Sequence, residues 1–359
     1  MGQFLFIGLD GPELTPSSRE FLTSIGPGGV ILFRRNLENP AQIAHLTRSL
    51  RTLYSPPPII AIDQEGGRVS RCSPPFPPLP PAWKLAQLET VVIVRWFGAL
   101  VGRGLRSLGL QLDLAPVVDL SRAGEEDGIG DRAFSDDPVR AAEAGGEFLS
   151  GLGDAGVAGC LKHFPGLGGA PADTHQTLPR MAGHSGAHDD ALIPYRRLHS
   201  EAPVIMVAHA HYPRLSGEEP LPASLDRRIV HDLLREEIGF RGLAVSDDLE
   251  MGAVAARADF GDLAVDAVRA GHDQILICHR EDRIVSAWSA LKRAAAGGDL
   301  PPAALARSFQ RIEAFQASPA CRRSPEPFVP EEIDLVVHEM QDLTGELNRA
   351  LRRRGLAGD

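Results

Sequence analysis

Cysteine is scarce: Cys72, Cys160, Cys278 and Cys321 are the four in 359 residues, set far apart and without C-x-x-C spacing. That excludes a zinc ribbon and a disulfide framework, and the apolar runs around Cys160 and Cys278 predict buried thiols. Positive charge is also in short supply. The chain has 37 Lys and Arg against 47 Asp and Glu, a formal net charge of −10, with the basic residues scattered. Neither a nucleic acid nor an anionic membrane is an expected partner. No apolar run is long enough to span a bilayer. The opening MGQFLFIGLDGPEL lacks a basic lead and reaches an acidic residue at Asp10, so it reads as a strand rather than a signal peptide, and the expected compartment is the cytoplasm. No internal repeat is present.

What is present is rhythm. Short apolar runs begin at Phe4, Gly29, Ile59, Leu110, Val157, Val204, Leu243 and Ile275. Most are continuous rather than alternating, the pattern of strands buried on both faces of a parallel sheet. Helix-like segments separate them, among them stretches starting at Ala41, Val91, Pro138 and Leu225. In the last, Ser224 is the expected N-cap and Gly239 the expected left-handed C-terminal residue. The alternation predicts an α/β fold, a TIM-type (β/α)8 barrel, with an open doubly wound sheet as the alternative. Residues 1–318 form the expected barrel. Residues 319–359 form a linker and a helical extension, docked on the barrel or used in self-association. The oligomeric state is open, with a monomer favoured.

The runs end in ionisable or polar residues: Asp10, Arg34, Asp63, Asp119, Lys162 with His163, His209, Asp247 and His279. In a parallel barrel those ends converge on one face, where sites are built. In AIDQEGGRVSR, Asp63 leaves the sheet, a Gly pair allows a tight path, and Arg68 and Arg71 follow as forked donors. An acid beside arginines suits a polyol ligand. Arg132, in the loop after the fourth run, can reach the same mouth. In LAVSDDLEM, Asp247 follows a buried run directly; a rigid carboxylate there can attack an anomeric carbon and form a glycosyl ester. The adjacent Asp248 keeps open another chemistry, in which two acids hold a 2-acetamido group that itself attacks.

KHFPGLGGAPADTHQTLP, from Lys162, adds proton chemistry. Asp173 and His175 are two residues apart, a spacing that lets the carboxylate fix the imidazole tautomer while the other nitrogen gives and takes a proton. Lys162 and His163, at the strand tip, suit sugar hydroxyls. His209 and His211 could share a face as metal ligands, but no carboxylate or cysteine stands at matching short spacing, so no metal or other cofactor is expected.

DQEGGRVSR, IGDRAF, KHFPG with DTH downstream, VAHAHYP and SDDLEM, in this order, resemble the β-N-acetylhexosaminidases of glycoside hydrolase family 3. The resemblance runs from about residue 4 to 300. It implies a TIM-barrel enzyme that removes terminal β-linked N-acetylglucosamine, from muropeptides in bacterial cell-wall recycling, without a cofactor. By that likeness Asp247 is the nucleophile, His175 the acid/base held by Asp173, and Asp63, Arg71, Arg132, Lys162, His163 and His209 bind substrate. Two positions depart from the family pattern: Leu167 stands where a histidine is usual and Gly169 where an acid is common. A β-glucosidase or xylosidase, or a glycan-binding protein without turnover, are the alternatives.

Overall fold

The computed structural model describes residues 1–88, 90–171, 177–181, 187–255, 259–322 and 328–356. Eight strands, β1 (Leu5–Gly8), β2 (Gly29–Leu32), β3 (Ile59–Ile62), β4 (Leu112–Asp113), β5 (Ala158–Phe164), β6 (Val204–Val207), β7 (Leu243–Asp248) and β8 (Gln274–Ile277), close into a barrel. Each pairs in parallel with its neighbours, and β1 closes on β8 through Leu5, Phe6 and Ile7 beside Ile275, Leu276 and Ile277. The closed ring settles the choice between barrel and open sheet.

Period-two geometry explains the unbroken apolar runs. Along β3, Ile59 and Ala61 point into the barrel with Phe6, Cys160, Val204 and Val245, whereas Ile60 and Ile62 meet the helices outside. Both faces are dry, so all four positions of β3 are apolar, and each large aliphatic side chain contributes about 1.5–3 kcal/mol by burial. The fourth run is ladder-paired over only two residues. Pro116 has no N–H to donate, and the chain continues as an irregular extension in which Val118 N donates to the Lys162 carbonyl at 2.9 Å.

The helices after each strand are α1 (Pro16–Ile25), α2 (Pro40–Arg51), α3 (Val92–Ser107), α4 (Pro138–Asp154), α5 (Ala187–Leu198), α6 (Arg228–Glu237), α7 (Phe260–Ala270) and α8 (Glu281–Gly297). α6 corrects one expectation. Asp226, not Ser224, caps it, its Oδ1 accepting from Arg228 N at 2.9 Å, because Ser224 is turned inward to His209. The helix ends with an i to i−5 bond from Ile238 N to the Leu233 carbonyl, and Gly239 takes the expected left-handed turn at φ 85°.

Two further long helices follow, α9 (Pro302–Gln316) and α10 (Pro330–Arg353). α9 stops the N-terminal mouth of the barrel with Ile312 and Phe315. α10 docks on the barrel through a stripe of Ile333, Val336, Met340, Leu343, Leu347 and Leu351. It lies against α3, where Gly104 leaves room for Phe76 and Met340. All four cysteines are buried thiols. Among the described residues no helix is long and apolar enough to cross a membrane.

Candidate active site

The same alternation that fills the barrel supplies the site. Ile59 and Ala61 are followed by Asp63, Ala158 and Cys160 by Lys162, Leu243 and Val245 by Asp247; the next inward step of these three strands is ionisable. Above them opens a cavity of about 640 Å³, lined by these three and by Glu65, Arg71, Arg132 and His163 among others. A converging set of polar groups in a concave site of this size suits a sugar.

The charges are organised in pairs. Lys162 Nζ lies 2.7 Å from Asp63 Oδ1 and 2.6 Å from Glu65 Oε1, and Arg132 grips Glu65 with Nε and Nη2 at 2.8 and 2.9 Å. Burial works against charge in Glu65, Lys162 and Arg132, but the partners win. Glu65 is held far below the usual carboxylate range, and Lys162 and Arg132 are raised above theirs. Two cations and two anions thus form a balanced, rigid floor whose remaining lone pairs and N–H groups face the cavity.

His163 is fixed from behind. Its Nδ1 is 2.7 Å from Asp119 Oδ2, and Arg132 Nη2 lies 3.5 Å from its Nε2. The carboxylate only accepts and the guanidinium only donates, which assigns the proton to Nδ1. Asp119 also accepts the Leu167 amide at 2.7 Å.

Burial alone would push the Asp247 carboxyl up. The imidazoles of His209 and His163, the Asp248 amide at 2.8 Å and Lys162 outweigh it, so its pKa is lowered and the anion is favoured. Asp248, one step out of phase, accepts the Glu250 amide at 3.0 Å and faces His279 at 3.6 Å. Desolvation, with the charges of Glu250 and Asp247, raises it to about 7. Adjacent carboxylates therefore have opposite tendencies, set by the cationic or acidic groups each one meets.

Residues 2–315 match the glycosyl hydrolase family 3 N-terminal domain. The chain belongs to glycosyl hydrolase family 3. A beta-hexosaminidase from Nitrosomonas eutropha is 37% identical over 286 residues, covering 77% of this chain and 81% of that relative. A family 3 beta-N-acetylglucosaminidase from Paenibacillus superposes with a TM-score of 0.87 at 32% identity, over 96% of this chain and 68% of that one. NagZ from Neisseria gonorrhoeae, solved in complex with N-trifluoroacetyl-D-glucosamine, gives a TM-score of 0.77 at 28% identity, over 95% of this chain and 98% of that one.

Within this family 3 cavity, Asp63, Arg71, Arg132, Lys162, His163 and Asp247 are brought together as the sequence predicts. Arg71 reaches the wall with a buried Nε that has no partner. Arg68 is instead spent on the loop after β4, donating to the Gly128 and Ile129 carbonyls. His209 is a correction. It is fully buried, and its ring nitrogens sit 2.7 Å from Ser224 Oγ and 3.0 Å from the Asp248 carbonyl, so it braces the end of β7 and has no free edge for a sugar. Asp173 and His175 lie outside the described residues. The described residues on either side are hydrogen-bonded. Gly169 N donates to Asp127 Oδ2 at 2.7 Å, and on the return Met181 N and His211 N exchange bonds with the His211 and Pro179 carbonyls at 2.8 and 2.9 Å.

The two departures from the family pattern have local causes. Leu167 is buried in the core beside the cavity, and Gly169 has φ 72°, a left-handed backbone that favours glycine. Sequence reasoning passed over Glu65 and assigned no role to Asp119. The acid inside the E-G-G turn and the polar end of the fourth run were the available signals. His209 and His211 make different bonds, His211 Nδ1 pairing with Leu221 at 3.3 Å. Among the described residues no group of three or more His, Cys, Asp or Glu is arranged to hold a metal ion.

Proposed function

We propose that this chain is an exo-acting, retaining β-N-acetylglucosaminidase in which Asp247 is the nucleophile and His175, steered by Asp173, the acid/base. The observation that carries the reading is the half-buried Asp247 carboxylate, its anion favoured at the rim of a cavity whose floor is the Asp63, Glu65, Lys162 and Arg132 network. Asp63, Lys162, Arg132 and His163 bind hydroxyls of the terminal sugar, and Arg71 supplies an unspent donor. An Asp247 oxygen bonds to C1 while the glycosidic oxygen departs with the His175 proton. Water, deprotonated by the same imidazole, then attacks C1 and releases the carboxylate. Two displacements retain the β configuration.

The spacing of His175 along the sequence supports the assignment. Ala170 lines the cavity, and His175 follows it by five residues, a contour of at most about 18 Å. Hydrolases named for N-acetylglucosaminides among the similar proteins support the substrate. In this reading the natural substrates are muropeptides and the compartment is the cytoplasm. Parallel assays on aryl N-acetyl-β-glucosaminide, β-glucoside and β-xyloside test it. A preference for the first of about 100-fold or more is expected if the site hydrogen-bonds the acetamido group, and a preference for either other sugar overturns the substrate.

A further inference from the structure

The N-terminal end of the barrel carries a second charged cluster that the reaction does not use. Two adjoining cavities of about 420 and 210 Å³ open where α9 crosses the start of β7, and both are walled by Arg241, Arg307 and Arg311. Asp273, fully buried, sits at the centre. Arg235 Nη2 donates to its Oδ2 at 2.5 Å and Arg311 Nε to its Oδ1 at 2.9 Å, while the Ala244 amide takes another place on Oδ2 at 3.0 Å. One carboxylate therefore serves two guanidiniums and a backbone amide.

The other charged groups around these cavities cancel locally. Arg227 and His231 face Asp232, His231 also faces Glu236, and Arg269 faces Asp266. Arg241 and Arg307 are exposed and have no ion pair among the described residues. Four guanidiniums against Asp273 make a concentrated positive site in a chain whose net charge is −10. Arg235, only 4% exposed, leaves its Nε without an acceptor and lines the smaller cavity. Ala314 and Phe315 give the larger cavity an apolar wall.

We propose that this basal pocket binds a small phosphate-bearing anion. Its oxygens take the forked donors of Arg241 and Arg307 and the field of the Arg235–Arg311 pair, a geometry guanidinium matches better than ammonium. An organic substituent, where present, lies on Phe315. Leu243 lines this pocket and Asp247 the catalytic cavity, so the two sites stand about 13 Å apart along one strand and cannot share a ligand.

Calorimetric titration of the full chain with inorganic phosphate and with glycerol 3-phosphate, at ionic strength fixed with sodium chloride, tests the proposal. Saturable binding is expected. The R241A/R307A double variant, which changes only exposed side chains, should weaken it by about tenfold or more and leave kcat/KM on an aryl glycoside unchanged. Tighter binding of the ester would assign the apolar wall, and equal binding would make the bare oxyanion the ligand; either supports the pocket. No saturable heat, an unaltered affinity in the double variant, or competition with the glycoside would overturn it.

Discussion

The two ends of the barrel solve opposite problems with the same side chains. At the C-terminal mouth, Lys162 and Arg132 are matched by Asp63 and Glu65, charge for charge, beside a cavity. At the N-terminal mouth, Asp273 is outnumbered by Arg235 and Arg311, and α9 stops the opening with Ile312 and Phe315. A balanced network beside an open cavity can take up a neutral sugar without new charge compensation. An unbalanced one over a plugged core ties strands to a helix and leaves positive field over. The difference teaches that a buried ion pair is no marker of an active site until its surroundings are known.

The sharpest separation comes from activity. D247A is expected to lose about 10⁴-fold or more in kcat, some 5.5 kcal/mol of barrier, with little change in melting temperature; steady-state kinetics beside a thermal melt checks both. K162M and D273N come next. Each removes the centre of an ion network, leaving Asp63 without its cation and Glu65 with Arg132 alone in one case, and Arg235 with Arg311 short of an anion in the other, so each is expected to cost about 3–5 kcal/mol of stability. Denaturant titration should find similar losses, but only K162M should lower kcat/KM. Equal damage to catalysis from both would erase the contrast between the two ends.

A smaller effect tests Asp248. Its folded pKa, about 7, lies above the ordinary aspartate value, so the folded chain holds this proton more tightly than the unfolded one. The stabilisation is complete below the unfolded value of about 3.9 and is lost as pH rises toward 7. D248N has no such proton to release. Its stability should fall less than the parent's between those limits, and parallel pH curves for the two would contradict the assignment.

The barrel was legible because parallel strands buried on both faces leave long apolar runs, and their polar ends point at one mouth. The exceptions are local. The regular ladder of β4 spans only Leu112–Asp113, and Ser224 prefers the His209 ring to the helix it precedes. Asp63, Lys162 and Asp247 could be read at the ends of their runs because each is the next inward step. Glu65 could not, since its importance lies in contacts with Arg132 and Lys162, 67 and 97 positions away. His209 was misread for the same reason: a strand-end histidine looks alike whether it faces a cavity or a neighbouring strand. The basal arginines come from α6, the turn before β7, and α9, and no linear pattern unites them.

The central claim is that the Asp247 carboxylate bonds covalently to the sugar. Reaction with a slowly released 5-fluoro N-acetylglucosaminyl fluoride, followed by peptide mass mapping, tests it most directly. The expected result is one sugar adduct on the peptide containing residues 243–248, carried by Asp247 and absent from D247A. An adduct on any other residue, or release of sugar in the inverted configuration, would contradict it.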